Sequence, residues 1–575
     1  MKHNIRKGMA LMCVFAMVMA GCGQQGQPNK ENEGTAVTES AVNTNNIVTK
    51  GSKVYADASV IELSDEVITV DGTAISEDET SAVYVANDIV FYLEGQDFTY
   101  GEGEKKDEHS QAEADAHTVV HITKPGTYAV SGTLSAGQIA IDLGKDAKKD
   151  PDAVVTLILN GVDITCSVAP GVIFYNVYEC SVADEENATN TVDTSAAGAN
   201  VIIADGSVNN VTGSYVARIY KPESVELTED GTKVADAKKL HKYDAAFYSK
   251  MTMNMNGDEE GSGVLNINAA NEGLDTELHL TINGGNINIT SGNDGINTNE
   301  DNVSVTTVNG GTLKITVNGA TGEGDGIDSN GWLVINGGTV IAEGCSFSMD
   351  AGIDSDKGIH INGGTVIATG NMLDHISEST QNYAVFQFAS GQNGGETYTL
   401  KNADGHTVVS YTPGNSFTYL IFSSADMVQG TYTMWLGDAQ LAGSASESMG
   451  GFGGFGGGMP GGFGGFDGEM PEGMEFPEGG FNGEFPEGGF DREIPDDFKL
   501  PEGVEGSDEI GRPVEGAEPM GRPEGGFNGQ MPEGMKFPQG GFGGDMSGGM
   551  GGANRSVEFI IENGGSYFTS VSLAE

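Results

Sequence analysis

Short acidic motifs recur in the central part of the chain, and their side chains are of the types that bind hard cations. Residues 325–330 read DGIDSN, and close copies read DGINTN at 294–299 and AGIDSD at 351–356. A looser copy, EGLDTE, occupies residues 272–277. Carboxylate and amide oxygens are the ligands that Ca²⁺ prefers, so the motifs indicate calcium chemistry if the fold stacks them on one another.

A second repeat supplies the elements that would stack these motifs. Four copies of Asn-Gly-Gly, at 283–285, 309–311, 336–338 and 362–364, follow one another at a nearly constant interval. Alternating β-branched residues flank each copy, which is typical of strands, and the glycines mark corners between them. With the acidic motif as a third strand, about 26 residues form one coil of a solenoid. The pattern therefore predicts an all-β solenoid, a three-sided parallel β-helix.

The pleat of the predicted strands places the oxygen-bearing side chains in outward columns. If Ile327 points into the core, Asp328 points out, and the same register holds in each copy. The first outward column contains Asp275, Asn297, Asp328 and Asp354. The second outward column contains Glu277, Asn299, Asn330 and Asp356. Carboxylates stacked about 4.8 Å apart repel one another by about 0.9 kcal/mol even in water, so a column of them needs a counter-ion.

These columns predict a Ca²⁺ site whose ligands come from adjacent coils, with further aspartates at the preceding corner. The predicted metal ligands are Asp294, Asn297, Asp325, Asp328, Asn330, Asp350, Asp354 and Asp356. The alternative is a ladder of asparagines and aspartates that form turns and bind no metal. Turn chemistry accounts for Asp-Gly, but it accounts less well for the outward aspartate two residues after the glycine.

The N-terminus has the features of an export signal. A basic start, an apolar run and small residues before Cys22 predict a lipoprotein signal peptide at 1–21 with the lipid on that cysteine. An ordinary signal peptide with a chance cysteine is the alternative. Residues 22–50, rich in polar side chains, are predicted to be a flexible tether. We therefore expect the protein on the extracellular face of the membrane, held there by its lipid alone.

Composition divides the remainder into three parts. Residues 51–449 carry the strand patterns and are predicted to be the β-helix domain. Residues 450–553 consist mainly of Gly, Pro, Glu, Phe and Met, a composition that cannot bury enough apolar area to fold, so we expect a disordered insertion. Strand-like sequence returns at 554–575, which predicts closing strands. The off-pattern, partly basic segment 213–245 is predicted to be an insertion between coils, either a solvated loop or a contact for an acidic polymer.

The overall charge excludes some classes of partner. With 28 basic and 83 acidic side chains the formal net charge is −55, which argues against nucleic-acid binding. An anionic polymer could bind only through a bridging cation. The body contains Cys166, Cys180 and Cys345, an odd number that excludes a complete disulfide framework. A Cys166–Cys180 pair and three buried thiols both remain open.

The ordered motifs resemble a known family. VTLILNGVDIT at 155–165, followed by GVLNINAANEGLDTELHLTINGGNINIT and GDGIDSNGWLVINGGTV, is similar to the bacterial cell-surface carbohydrate-binding β-helix family, whose fold is like that of pectate lyases. The likeness covers roughly 55–450. It implies a right-handed helix, a plant-type or uronic-acid polysaccharide as ligand, and bound calcium. The motif at 272–277 departs from the pattern, because Glu and Leu replace Asp and Ile.

Residue chemistry favours binding over catalysis. A calcium-dependent lyase needs a base beside the cation. Lys357, the basic residue closest in sequence to the columns, lies among carboxylates that favour its charged form and oppose that role. Sugars bind through aromatic faces and polar edges, so Trp332 and His279, both predicted to face outward, are the candidate ligand-binding residues.

The sequence therefore predicts a carbohydrate-binding protein, with no catalytic residues assigned and Ca²⁺ as its cofactor. We expect a monomer whose partner is a polysaccharide. Two alternatives stay open: a calcium-dependent polysaccharide lyase acting by β-elimination, and a structural adhesin that makes contact through the Gly/Phe/Met-rich tract.

Overall fold

The computed structural model describes residues 48–446 and 555–574, and their regular structure is nearly all β-strand. The described residues contain one α-helix, α1 (Gln111–Asp115), and 3₁₀ segments at Lys105–Asp107, Ala147–Lys149 and Pro222–Ser224. Nowhere in these two ranges is a helix long and apolar enough to cross a membrane. The prediction of an all-β protein is confirmed.

Several predictions fall on parts of the chain outside the described residues. They are the signal peptide at 1–21, the lipid on Cys22, nearly all of the tether at 22–50, and the low-complexity insertion at 450–553. These stay predictions.

The N-terminal part of the described chain builds the first strands of the stack. Its strands are β1 (Ser59–Leu63), β2 (Thr69–Val70), β3 (Thr73–Ala74), β4 (Val83–Ala86), β5 (Thr118–Ile122), β6 (Gly126–Leu134), β7 (Gly137–Asp142), β8 (Val155–Thr165), β9 (Val172–Asn176), β10 (Ala199–Ile203) and β11 (Val208–Gly213). Strand β8 pairs in parallel with β6 on one side and with β10 and β11 on the other. The repeat therefore starts well before the regular Asn-Gly-Gly motifs.

The segment predicted to be an insertion forms two antiparallel hairpins. Its strands are β12 (Val216–Tyr220), β13 (Glu226–Leu227), β14 (Val234–Asp236) and β15 (Lys239–Tyr243). Strand β12 pairs with β15, and β13 pairs with β14.

The central part contains the regular repeat. Its strands are β16 (Ala245–Ser249), β17 (Met253–Gly257), β18 (Val264–Ala269), β19 (Glu272–Thr276), β20 (Leu280–Ile282), β21 (Asn286–Ser291), β22 (Ile296–Thr298), β23 (Val305–Val308), β24 (Thr312–Val317), β25 (Ile327–Ser329), β26 (Trp332–Ile335), β27 (Thr339–Glu343), β28 (Gly358–Ile361) and β29 (Thr365–Gly370). Strands of one repeat pair in parallel with the equivalent strands of the next, so three columns of strands run through this part. The third column ends at β25, from which a single bridge leads to Ile353.

The first two columns keep the predicted spacing and the third does not. Ile287 pairs with Leu313 and Leu313 with Val340, so the interval between equivalent positions stays nearly constant. In the third column Leu274 pairs with Ile296 and Ile296 with Ile327, and the second interval is much longer than the first. The acidic motifs therefore align in space although their spacing in sequence is uneven, because loops between the columns absorb the difference.

The corner asparagines hold the repeats together through side-chain hydrogen bonds. The Nδ2 atoms of Asn283, Asn309, Asn336 and Asn362 donate to the Oδ1 atom of the preceding asparagine at 2.9–3.1 Å, beginning from Asn256. The glycine after each of these corners, such as Gly311 with a φ of 80°, adopts a left-handed conformation that favours glycine. The Asn-Gly-Gly motif is thus explained by the corner it forms.

Beyond the last repeat the pairing becomes mainly antiparallel, with β30 and β37 as a parallel pair. The strands are β30 (Tyr383–Gln392), β31 (Tyr398–Asn402), β32 (Thr407–Tyr411), β33 (Phe417–Ser423), β34 (Gly430–Leu436), β35 (Ala439–Ser446), β36 (Phe559–Ile561) and β37 (Gly565–Leu573). Strand β33 pairs antiparallel with β29 and ends the parallel stack. Aromatic residues such as Phe386, Phe417 and Phe568 fill a separate core here.

The main core lies between the columns and consists largely of aliphatic side chains. Ile296, Ile327 and Ile353 are at most 1% exposed and stack on one another, as the period-2 pattern predicts. Cys166 and Cys345 are buried, Cys180 is half-buried, and all three are free thiols. The open question of a Cys166–Cys180 pair is therefore settled in favour of free thiols.

Candidate functional site

The third column of strands brings the acidic motifs into one outward row. Asp275 pairs with Asn297 and Asn297 with Asp328, and a bridge between Ile327 and Ile353 continues the row toward Asp354. The predicted alignment of Asp275, Asn297 and Asp328 in one row is confirmed, but Asp275 is 0% exposed and does not reach the surface. We use the name acidic ladder for Asp294, Asp325, Asp328 and Asp354.

Aspartates at the corner before each motif hold the backbone of a neighbouring repeat: Asp294 and Asp325 hold the next one, and Asp350 holds the preceding one. Asp294 Oδ1 accepts the Asp325 N–H at 2.7 Å, and Asp325 Oδ1 accepts the Ala351 N–H. Asp350 Oδ2 accepts the Gly324 N–H at 2.6 Å. The turn role that sequence analysis kept as an alternative is therefore present. It uses one oxygen of each carboxylate and leaves the other oxygen for a further interaction.

Burial and neighbouring charges favour the protonated form of the ladder carboxyls. Burial, then the charges of Asp294 and Asp356, raises the pKa of Asp328 to about 7. Burial, then the charges of Asp374 and Asp328, raises the pKa of Asp354 to about 8. At neutral pH without a cation the two outward carboxyls thus hold protons for part of the time, which reduces the repulsion within the ladder.

The other two ladder carboxyls behave in the same way. Burial raises the pKa of Asp294 to about 7, and burial with the charge of Asp294 raises the pKa of Asp325 well above its ordinary value. All four ladder carboxyls are therefore easier to protonate than a free aspartate.

Asp374 belongs to this region, but sequence reasoning missed it. Its Oδ2 accepts the Ser355 N–H at 3.0 Å, and its charge raises the pKa of Asp354. Burial raises the pKa of Asp374 as well. It follows the last repeat and lies in no DGI-type motif, so the sequence offered no signal beyond the residue type.

The side chains of the second predicted column mostly have partners within the protein. Asn330 Nδ2 donates to Asp301 Oδ1 at 2.9 Å. Glu277 forms a salt bridge of 2.9 Å with Lys239. Asp356 is exposed at the surface. Partial burial, then the charge of Asp301, raises the pKa of Asp356, and the neighbouring Lys357 offsets part of this rise. Among the described members of this column, Asp356 is the carboxyl that forms no salt bridge.

A tighter acidic cluster lies on the preceding repeats, where no ligand was predicted. The cluster consists of Asp244, Glu272 and Asp275. One oxygen of each carboxylate lies within 4.8 Å of an oxygen of the other two, and within residues 48–446 and 555–574 this is the one such group. The eight predicted metal residues do not form such a group, although Asn297 lies on the strand next to Asp275.

Trp332 lies on the outward side of β26, beside inward Leu333, and is half-buried. Its neighbours in the row are Val305 and Gly358, and the glycine has no side chain to cover the ring. The predicted platform for a sugar ring therefore keeps an accessible edge.

The prediction that His279 faces a ligand was wrong. Its side of the strand is outward, but the residue is only 2% exposed. Its Nε2 lies 3.1 Å from Ser181 Oγ, and its Nδ1 accepts the Val305 N–H at 3.1 Å. Burial lowers the pKa of His279 to about 4, so the ring is neutral. A segment preceding β10, far earlier in the chain, covers it, and strand alternation could not show this.

The fold and the site together define a class of protein: a stacked all-β chain with an acidic, oxygen-rich outer face. A family model described as "Carbohydrate-binding domain-containing protein" matches residues 116–412, which is just over half of the chain. The chain belongs to this family of carbohydrate-binding domain-containing proteins. The resemblance found in the sequence is confirmed at the level of the family.

Two similar proteins are bacterial. A carbohydrate-binding domain-containing protein of Acetivibrio thermocellus is 28% identical over 171 residues, which is 30% of this chain and 44% of the relative, so the match spans less than half of that protein. A solved structure of a polysaccharide lyase-like protein from C. thermocellum, in a gadolinium derivative, is 20% identical with a TM-score of 0.30; the alignment covers 56% of this chain and 97% of that one.

Proposed function

We propose that the chain is a bacterial cell-surface protein that binds an acidic polysaccharide, with Ca²⁺ bridging protein and ligand. Its repeats would form a right-handed, three-sided parallel β-helix, which the parallel pairing of the three strand columns supports. Cys22 would carry the lipid that holds the protein on the extracellular face. The protein would act as a monomer.

One observation carries this proposal: Asp328 and Asp354 follow Ile327 and Ile353, which a bridge pairs across two repeats, and burial, then neighbouring carboxylates, raises the pKa of both aspartates. The charge of Asp328 raises the pKa of Asp354, and the charge of Asp374 raises the pKa of both. A hard divalent cation would stabilise this arrangement, since Ca²⁺ takes six to eight oxygens from carboxylates, amides and water. The donor types present at the ladder therefore fit calcium.

The same cation would explain how an acidic protein holds an acidic polymer. With a formal net charge of −55, the chain repels a polyuronate unless a cation lies between them. A Ca²⁺ ion on Asp328 and Asp354 would keep coordination positions for a carboxylate of the ligand. Trp332, on the strand that follows β25, would offer its ring to a sugar face.

A calorimetric titration tests the ladder directly. Polygalacturonate is titrated into the full chain in calcium, and the same titration is made with the double variant Asp328→Asn, Asp354→Asn. We expect the variant to lose at least tenfold in affinity, because neutral amides cannot replace the charge that holds the ion. The matched control Asp404→Asn removes an exposed carboxylate distant in sequence from the motifs and should bind like wild type.

An ultraviolet assay for unsaturated uronate separates binding from lyase activity. Under our proposal no product accumulates with or without calcium. Turnover that depends on calcium would contradict a binding-only function and support the lyase alternative.

A further inference from the structure

A buried acidic pocket lies next to the ladder, where the motif departs from the DGI pattern. It is formed by Asp244, just before β16, and by Glu272 and Asp275 on β19. Asp244 is 9% exposed, Glu272 6% and Asp275 0%. We call it the β19 pocket. Carboxylates so far from water are rare without a compensating charge, because desolvation of an ion is costly.

The oxygens of the β19 pocket lack the donors that buried carboxylates need. Glu272 Oε2 and Asp275 Oδ2 are buried and have no hydrogen-bond partner. The Oδ1 atom of Asn297, from the adjacent strand β22, is also buried and also has no hydrogen-bond partner. Buried polar atoms are nearly always paired, so three unpaired oxygens from neighbouring side chains indicate a missing positive partner.

The remaining contacts do not neutralise the pocket. Lys242 Nζ lies 2.7 Å from Asp244 Oδ2, and Asn299 Nδ2 donates to Asp275 Oδ1 at 2.8 Å. Three carboxylates against one ammonium leave a net charge of −2 when all are ionised. Burial and mutual repulsion raise the pKa of Glu272 and Asp275 well above their ordinary values. A charge of +2 would balance the pocket.

We propose that the β19 pocket binds one Ca²⁺ ion through carboxylate oxygens of Asp244, Glu272 and Asp275 and the amide oxygen of Asn297. Calcium is favoured over magnesium because the donors are carboxylates and an amide in a fixed, largely dehydrated site, whereas Mg²⁺ usually keeps several waters. This ion is separate from the one on the ladder. It is covered by protein, so it joins β16, β19 and β22 and touches no glycan.

Terbium luminescence tests this site, because a tyrosine lies beside it. Tyr248 on β16 pairs with Asp275 on β19 and is 1% exposed. The full chain, stripped with a chelator, is titrated with Tb³⁺ under tyrosine excitation and then competed with Ca²⁺. We expect a saturable signal that calcium displaces and that Tyr248→Phe reduces. By equilibrium dialysis, Tyr248→Phe should still bind as much calcium as wild type.

Variants of the pocket and of the ladder separate the two sites. The double variant Glu272→Gln, Asp275→Asn should bind one calcium ion fewer per chain and lose the calcium-dependent rise in Tm, yet still bind polygalacturonate in calcium. The ladder variant Asp328→Asn, Asp354→Asn should keep both the terbium signal and that rise.

Two outcomes would overturn the inference. One is an unchanged calcium stoichiometry in the pocket variant. The other is a terbium signal that is indifferent to Tyr248→Phe together with no effect of calcium on the Tm of wild type. Failure of glycan binding with an intact terbium signal would count against the proposed function alone.

Discussion

The aspartates of the ladder combine two tasks that a single residue type can serve. One oxygen of Asp294 accepts a backbone N–H of the next repeat, and so does one oxygen of Asp325. The carboxyls of Asp328 and Asp354 face outward, where burial and the charges of neighbouring carboxyls raise both pKa values. The corner aspartates thus build the fold, and the outward aspartates provide the charge.

The raised pKa values predict a pH effect on stability in the absence of calcium. Asp328 and Asp354 titrate near 7 and 8 when folded, against an ordinary value of 3.8, so the folded state binds more protons than the unfolded state between these limits. Their contribution to stability is therefore present at low pH and lost as pH rises through about 8. In EDTA, the Tm of wild type should fall relative to that of Asp328→Asn, Asp354→Asn as pH increases from about 4 to about 8.

Differential scanning calorimetry of both proteins across this range checks the prediction. The comparison with the double variant removes the contribution of titrating groups away from the ladder, among them His279, whose lowered pKa acts in the opposite direction. A Tm difference that does not change with pH would contradict it.

Trp332 gives a second prediction at this scale. If its half-buried ring stacks on a sugar, Trp332→Ala should weaken polysaccharide binding about tenfold, equal to about 1.4 kcal/mol. Trp332→Phe keeps an aromatic face and should retain most of the affinity. Titration calorimetry in calcium measures both, and equal affinities for wild type and Trp332→Ala would exclude the ring from the site.

Sequence reasoning at the level of single residues succeeded where strand alternation decides orientation. Ile327 points inward and Asp328 outward, as the pleat requires. It failed where a distant segment decides exposure, as at His279, which Ser181 covers. It also missed Asp244 and Asp374, since neither lies in a motif and only the folded chain brings them to their acidic neighbours.

At the scale of elements, the asparagine corner connects each repeat to the next. Asn309 donates to Asn283 and accepts from Asn336, so one side chain forms two inter-repeat hydrogen bonds. Asn309→Ala should reduce the free energy of unfolding by about 1 kcal/mol, a modest loss because these bonds are exposed to water. Denaturant unfolding measures it. Asn393→Ala, at an exposed asparagine outside the corner row, should leave the free energy of unfolding unchanged. An equal loss in both variants would show that the corner hydrogen bonds do not stabilise the fold.

Glu343 joins the parallel repeats to the antiparallel strands that follow them. It is 1% exposed, and its carboxylate accepts the Tyr411 hydroxyl and the backbone N–H groups of Gly414 and Asn415. Glu343→Ala removes the acceptor that these three donors share and should cost about 2–3 kcal/mol of stability. Thermal and denaturant unfolding measure the loss. Glu378→Ala, at an exposed glutamate, is the control and should be neutral.

The period of the first two strand columns was predictable because the Asn-Gly-Gly corner fixes their spacing. The period of the third column was not predictable, because a short interval from Leu274 to Ile296 is followed by a much longer one to Ile327. These two intervals define no regular repeat length. Its alignment was predictable only from the motif itself. The two insertion hairpins between β11 and β16 have no counterpart in the repeat, so their pairing could not be derived from it.

At the scale of the whole molecule, the dominant property is its large negative charge. A chain with a formal net charge of −55 concentrates carboxylates on the outer side of one strand column and, in the β19 pocket, beneath its surface. Divalent cations would reduce the repulsion within the protein and allow an anionic ligand to approach. Membership of the carbohydrate-binding domain family supports the ligand class that we propose.

A glycan array probed with the full chain, once in calcium and once in EDTA, shows whether calcium is needed to hold acidic polysaccharides. We expect binding to acidic polysaccharides in calcium and loss of that binding in EDTA, with recovery when calcium is restored. The same pattern of bound glycans under both conditions, or an array on which acidic polysaccharides stay blank in calcium, would contradict it.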